Sequence, residues 1–132
     1  MNVLLNNKSI YILVVEDEMI IAANISLQLT NLGYKVIGTI PRSEEVLPFI
    51  KQQLPDIILL DINLKGDLDG IQIARLINKE YKIPIIFLTA NADEVHFNNA
   101  KATNPYAFIA KPFKKLDLQR AIELTINRIE KE

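Results

Sequence analysis

Glu16 and Asp17 follow directly on the apolar run Tyr11-Ile12-Leu13-Val14-Val15, and Asp61 closes the run Ile57-Ile58-Leu59-Leu60. Thr89 ends a third apolar run from Ile83, and Lys111 follows a fourth, Ala107 to Ala110. If these runs are neighbouring parallel strands, their C-terminal ends collect three carboxylates, a hydroxyl and an ammonium in one crevice. Carboxylates that close raise one another's pKa, so the site must keep a proton or recruit a cation. One divalent metal is the simpler solution. With oxygen ligands around a hard cation, and with the hydroxyl and ammonium beside it, the set suits binding and transfer of a phosphoryl group.

Each residue has a plainer reading to set against that one. Asp61 alone reads as a turn former, but beside its partners its carboxylate could attack phosphorus and form an acyl phosphate. Such a transition state spreads negative charge over equatorial oxygens, so a cation and fixed donors matter more than a base. Glu16 and Asp17 could reach the same cation directly or through water, since Mg²⁺ keeps several waters; equally, they could cap the helix that follows. Asn63, two residues past Asp61, could offer its backbone carbonyl as a further ligand. Thr89 could donate to a phosphoryl oxygen, or simply end a strand. Lys111 follows a buried-looking strand, where an ammonium is costly unless paired with carboxylate or phosphate, and Pro112 after it is a candidate cis proline. His96, with no second histidine or any cysteine to complete a metal site, reads as a solvated surface residue.

Something must hold these side chains together. At 132 residues the chain has the size of one domain and can bury roughly 68% of its unfolded surface. Its 15 basic and 16 acidic residues leave no charge excess to attract nucleic acid or anionic lipid. Without cysteine there is no disulfide framework and no thiolate metal site. The apolar runs are too short to cross a bilayer, and Met1 to Lys8 lacks the features of a signal peptide. The chain therefore reads as a soluble, cytoplasmic protein without membrane contact.

Short branched runs, Ile10 to Val15, Val36 to Ile40, Ile57 to Leu60, Ile83 to Leu88 and Phe108 to Ala110, suit strands buried on both faces. The segments between them have helical period. Ile21, Ile25, Leu29 and Leu32 form one stripe from Glu18 to Leu32, with Asp17 a candidate cap and Gly33 a stop. Ser43 before Glu44 and Glu45 predicts a capped helix towards Gln53, ended by Leu54-Pro55. A third helix is expected from Asp69 or Gly70 to Lys79, burying Ile73, Leu76 and Ile77. From Ala92 to Thr103 the helical signal is weak, because Val95, Phe97, Ala100 and Ala102 make no wide stripe. The last helix, Lys114 towards Lys131, places Leu118, Ala121, Ile122, Thr125 and Ile129 on one side. Five strands alternating with five helices predict a doubly wound parallel α/β sheet, whose ligands bind beyond the carboxyl ends of its strands.

The whole constellation closely resembles the receiver domain of two-component response regulators. The motifs that carry the resemblance are Ile10-Tyr11-Ile12-Leu13-Val14-Val15-Glu16-Asp17-Glu18, Asp56-Ile57-Ile58-Leu59-Leu60-Asp61, Phe87-Leu88-Thr89-Ala90 and Lys111-Pro112-Phe113. Each is modest alone; their order and spacing together are specific. The resemblance implies a (βα)5 flavodoxin-like fold of strand order 2-1-3-4-5, spanning residues 1–132 as one domain with a core of about 9–130. It implies that Asp61 is the phosphoacceptor, that Glu16, Asp17, Asp61 and Asn63 hold Mg²⁺, and that Lys111 pairs with the phosphate. Thr89 and Phe108 become the switch hydroxyl and switch aromatic, the latter otherwise a core phenylalanine.

Implied partners are a sensor histidine kinase or phosphotransfer protein, an output domain or target protein, and a second copy of the chain. The implied product is a signalling switch and not an enzyme, with the face of the fourth helix, fifth strand and fifth helix changing on phosphorylation. Two departures stand out. The loop Leu64-Lys65-Gly66-Asp67-Leu68-Asp69-Gly70 is proline-free and one residue longer than in many receivers, and Asn104-Pro105-Tyr106 replaces the more usual Gly-Ala before the last strand. Asn63 and Asn91 stand where the family tunes acyl-phosphate lifetime. A rival is an aspartate-nucleophile phosphatase of the haloacid dehalogenase type, disfavoured because Asn63 stands where those enzymes carry a second Asp. Another is a receiver-like binding module that is never phosphorylated, disfavoured because the acceptor, acidic pair and lysine are all retained.

Overall fold

The computed structural model describes residues 9–90 and 94–132. Expectations for Met1 to Lys8, for Asn91 and Ala92, and for the side chains of Val95 and His96 fall outside the described residues. Strands β1 (Tyr11–Val15), β2 (Lys35–Ile40), β3 (Ile57–Asp61), β4 (Ile85–Thr89) and β5 (Ala107–Ala110) alternate with five helices. These are α1 (Met19–Asn31), α2 (Val46–Gln52), α3 (Gly70–Glu80), α4 (Glu94–Lys101) and α5 (Lys115–Lys131). All strand pairs are parallel, in the order β2-β1-β3-β4-β5. This is the flavodoxin-like α/β order that the resemblance implied.

Alternation along each strand builds two cores. Leu13, Val15, Ile58, Leu60, Ile85 and Phe87 point to the face covered by α2 and α3, where Val46, Ile50, Ile73 and Ile77 meet them. Ile12, Val14, Ile57, Leu59, Ile86, Leu88 and Ile109 point to the other face, against Ile25 and Leu29 of α1 and Leu118, Ile122 and Ile126 of α5. The chain thus leaves β1 towards one face and β3 towards the other, which opens a crevice between their carboxyl ends. The register places the strand ends level: Val15 pairs with Leu60, Asp61 with Leu88, and Thr89 with Ala110.

Helix ends differ from expectation in instructive ways. Asp17 does not cap α1; the N-cap position is Glu18, which has no side-chain cap, and the Glu18 N–H goes instead to Glu16 Oε2 at 3.1 Å. Ser43 does not cap α2 either. It lies in a 3₁₀ turn, Ser43–Glu45, ahead of the helix, and its hydroxyl accepts the Leu68 N–H at 2.9 Å. For Ser43, a group distant in sequence offered the side chain a better use than the local helix end did. By contrast α3 has a full capping box between Asp69 and Gln72, and α1 stops before Gly33, at φ 97°. Ile126, not Ile129, is fully buried on α5, and Leu76 is only partly buried on α3. The Lys111–Pro112 bond is cis. The Asn104-Pro105-Tyr106 connection turns through Asn104 at φ 59°, and the Tyr106 hydroxyl then bonds the Glu132 carboxylate at 2.6 Å, under the guanidinium of Arg128.

Candidate functional site

Five of the sequence-predicted residues meet at the carboxyl edge. Glu16 leaves the end of β1 as a nearly fully buried carboxylate, its backbone N–H tied to the Ile40 carbonyl of the neighbouring strand. Asp61 is the last residue of β3 and equally buried. Lys111 follows β5, fixed through its own N–H to the Thr89 carbonyl at 2.7 Å, so the fourth strand aims the lysine. Its ammonium bonds Glu16 Oε1 at 2.6 Å and Asp61 Oδ2 at 3.2 Å. The second Asp61 oxygen, Oδ1, accepts the Asn63 N–H at 3.1 Å. Asp17 completes an acidic triad in which one oxygen from each of Glu16, Asp17 and Asp61 lies within 4.8 Å of the others.

Glu16 and Asp61 share the Lys111 ammonium inside a crevice, with the Asp17 carboxylate beside them, and the titration behaviour follows. Burial pushes the Glu16 carboxyl from 4.5 up to about 7; the Lys111 hydrogen bond opposes the rise, and the Asp61 charge adds to it. Burial by itself would lower the Lys111 pKa, yet the Glu16 hydrogen bond and the charges of Asp61 and Glu16 outweigh it and hold the amine above its usual value. The Lys111 shift, raised against burial by Glu16 and Asp61, marks a pocket whose carboxylates favour an added positive charge; the Glu16 shift reflects chiefly the cost of burying its charge. Oxygen-only donors in that number suit a hard divalent cation such as Mg²⁺ and disfavour a soft one.

Sequence reasoning passed over four contributors. Lys65, in the loop after β3, places its ammonium 4.0 Å from Asp17 Oδ2. No periodicity or motif marks it. Gly70 starts α3 with its Cα against the Asp61 carbonyl and Ile62, leaving no room for a Cβ. A glycine in a first helical turn, costly by propensity, was the available signal. Phe97 of α4 lies 4.8 Å from the Phe108 ring, which also stacks on Phe87 at 5.8 Å, so the half-buried Phe108 links α4 to the core. Ser43 is the fourth. Thr89, half-buried at the end of β4, stands at the same edge as Asp61.

A doubly wound sheet with this edge is the framework of a receiver, and the chain belongs to the response regulator receiver domain family, whose pattern matches residues 12–123. Among curated relatives it is similar to the transcriptional regulatory protein AfsQ1 of Streptomyces coelicolor, 31% identical over 121 residues, covering 92% of this chain and 53% of that protein. It is also similar to the transcriptional regulatory protein PdtaR of Mycobacterium tuberculosis, 30% identical over 117 residues, covering 89% and 57%. The chain thus spans about half the length of these curated relatives. Among solved structures it resembles the signal receiver domain of a modulated diguanylate cyclase from Desulfovibrio desulfuricans G20, with a TM-score of 0.86, 38% identity, and coverage of 92% of this chain and 96% of that one. Among the described residues no helix is long and apolar enough to cross a membrane.

Proposed function

We propose that the chain accepts a phosphoryl group on Asp61 from a histidine kinase, a phosphotransfer protein or a small donor such as acetyl phosphate, and passes the event on as a change of surface. The observation that carries this reading is the Lys111 ammonium bonded to both Glu16 and Asp61 beside the Asp17 carboxylate. An Asp61 oxygen forms the new bond to phosphorus while the donor's bond to phosphorus breaks: from phosphohistidine the P–N bond, the departing imidazole keeping the electron pair and taking up a proton from solvent, and from acetyl phosphate the P–O bond, the pair leaving with acetate. Glu16, Asp17, Asp61 and the Asn63 carbonyl would hold Mg²⁺, which when bound neutralises charge on the transferring oxygens. Lys111 then exchanges a carboxylate partner for a phosphoryl oxygen, and the Thr89 hydroxyl supplies a donor to another.

The added charge of about −1.5 to −2 is the switch, by analogy with other phosphorylated side chains. As Thr89 and Lys111 draw towards it, Phe108 turns further inward, and its contact with Phe97 couples that movement to α4. The surface of α4, β5 and α5 is then the one read by an output domain, a target protein or a second copy of the chain. The test is labelling by radioactive acetyl phosphate with and without Mg²⁺. Asp61→Asn is expected to abolish the Mg²⁺-dependent label, and undiminished labelling would refute the assignment.

A further inference from the structure

Ser43 sits in the loop after β2, outside the acidic triad, yet its side chain is turned wholly inward at 1% exposure. It faces the segment that joins Asp61 to α3. Three hydrogen bonds tie the two loops: the Leu68 N–H to Ser43 Oγ at 2.9 Å, the Asp67 N–H to Glu44 Oε1 at 3.3 Å, and the Ser43 N–H to the Lys65 carbonyl at 3.2 Å, the last forming part of a parallel bridge between Arg42 and Lys65. Arg42 steadies the Glu44 carboxylate at 2.6 Å. Gly66 stands between these contacts at φ 127°, and a Cβ there would lie 2.5 Å from Ser43 Oγ and 2.6 Å from Glu44 Oε1. The loop is therefore shaped to receive the serine.

Residues 62–69 carry the Asn63 N–H that bonds Asp61, and Lys65 beside Asp17. The segment contains no proline, and its far end is tied back by the Gly70 N–H to the Ile62 carbonyl at 2.9 Å. Ordering a loop residue costs about 1–2 kcal/mol of backbone entropy, so a segment that must present its groups to a reacting centre needs anchors along its length. We propose that Ser43, with Glu44, is a positioning residue for the phosphoryl-accepting loop: the clasp holds residues 62–69 in the arrangement that lets Asp61 react. This rests on the reading of Asp61 as phosphoacceptor.

The test compares the first-order labelling rate of the full chain by acetyl phosphate at saturating Mg²⁺, with the folded fraction checked for each variant. Ser43→Ala is expected to slow labelling at least about fivefold, since misplacement of reacting groups by about 1 Å can cost up to about 100-fold. Glu44→Ala, at an exposed side chain, removes a clasp contact without emptying a buried site; it carries the test if the serine variant does not fold, with a slowing of about twofold or more. Ile50→Val, in the core under α2, serves as a variant that loses stability and keeps the wild-type rate. Wild-type rates in both clasp variants, or equal slowing in Ile50→Val, overturn the proposal. A wild type that takes no label at all sinks the phosphoacceptor reading and this one with it, so the two failures are distinguishable.

Discussion

Replacing Glu16 by Gln isolates the cost of crowding carboxylates in the crevice. In the folded protein Glu16 titrates near pH 7 against an ordinary 4.5, so between these values the native state binds a proton that the unfolded chain has already released. The stability this proton contributes is full below about pH 4.5 and is lost as pH rises through about 7. The interval corresponds to about 3 kcal/mol, an upper figure because the wild-type crevice can admit water. Glutamine mimics the protonated acid at every pH. In a chelator-containing buffer, urea unfolding of the two proteins from about pH 5 to about pH 8 should give a difference that grows with pH, the variant gaining by up to about 3 kcal/mol. Added Mg²⁺ should reverse the order, because the metal binds the wild-type carboxylate and competes with the same proton. Titrating groups remote from the crevice are common to both proteins and cancel. A difference curve that stays flat across this range would show that Glu16 is ionised throughout and that the crowding argument is wrong.

Lys111→Met removes the ammonium that bonds both Glu16 and Asp61, and the uncompensated carboxylates should cost about 3–5 kcal/mol in metal-free buffer at neutral pH, measured by urea unfolding. Labelling by acetyl phosphate should fall sharply in the same variant even when Mg²⁺ restores its stability. Gly70→Ala forces a Cβ onto the Asp61 carbonyl and Ile62, so a loss of about 1–3 kcal/mol in thermal or chemical unfolding should accompany slower labelling. Lys65→Ala should tighten Mg²⁺ binding in calorimetry by up to about fivefold, since a surface ion pair contributes about 0.2–1 kcal/mol and the lysine competes for Asp17. A weaker Mg²⁺ affinity in that variant would mean that Lys65 supports the metal site instead of opposing it.

Much of the architecture was legible because its signals are local and repeated. Buried parallel strands demand apolar runs, and five such runs separated by helical stripes leave few foldings open. Asp61, Glu16 and Lys111 stood out because charge directly after an apolar run must emerge at a strand end. The helix caps went astray for the opposite reason. Ser43 carries good local cap chemistry, but its hydroxyl takes the partner that tertiary packing brings nearest, the Leu68 N–H in a loop many residues away, while the Asp17 carboxylate stands in the acidic cluster with Glu16 and Asp61. Likewise the sparse stripe of α4 gave no hint that Phe97 would pack on Phe108.

The amino-acid order alone determined the alternation of strands and helices and which charged side chains end at the sheet's carboxyl edge, because backbone period and apolar burial act over a few residues. The folded arrangement decided how the ammonium of Lys111 is shared between Glu16 and Asp61, that burial pushes the Glu16 carboxyl up to about 7, and that Ser43 and Gly66 lock together. Those outcomes depend on distances of a few ångströms between segments far apart in the chain, where Coulomb energies, desolvation and steric fit change steeply and no local pattern records them.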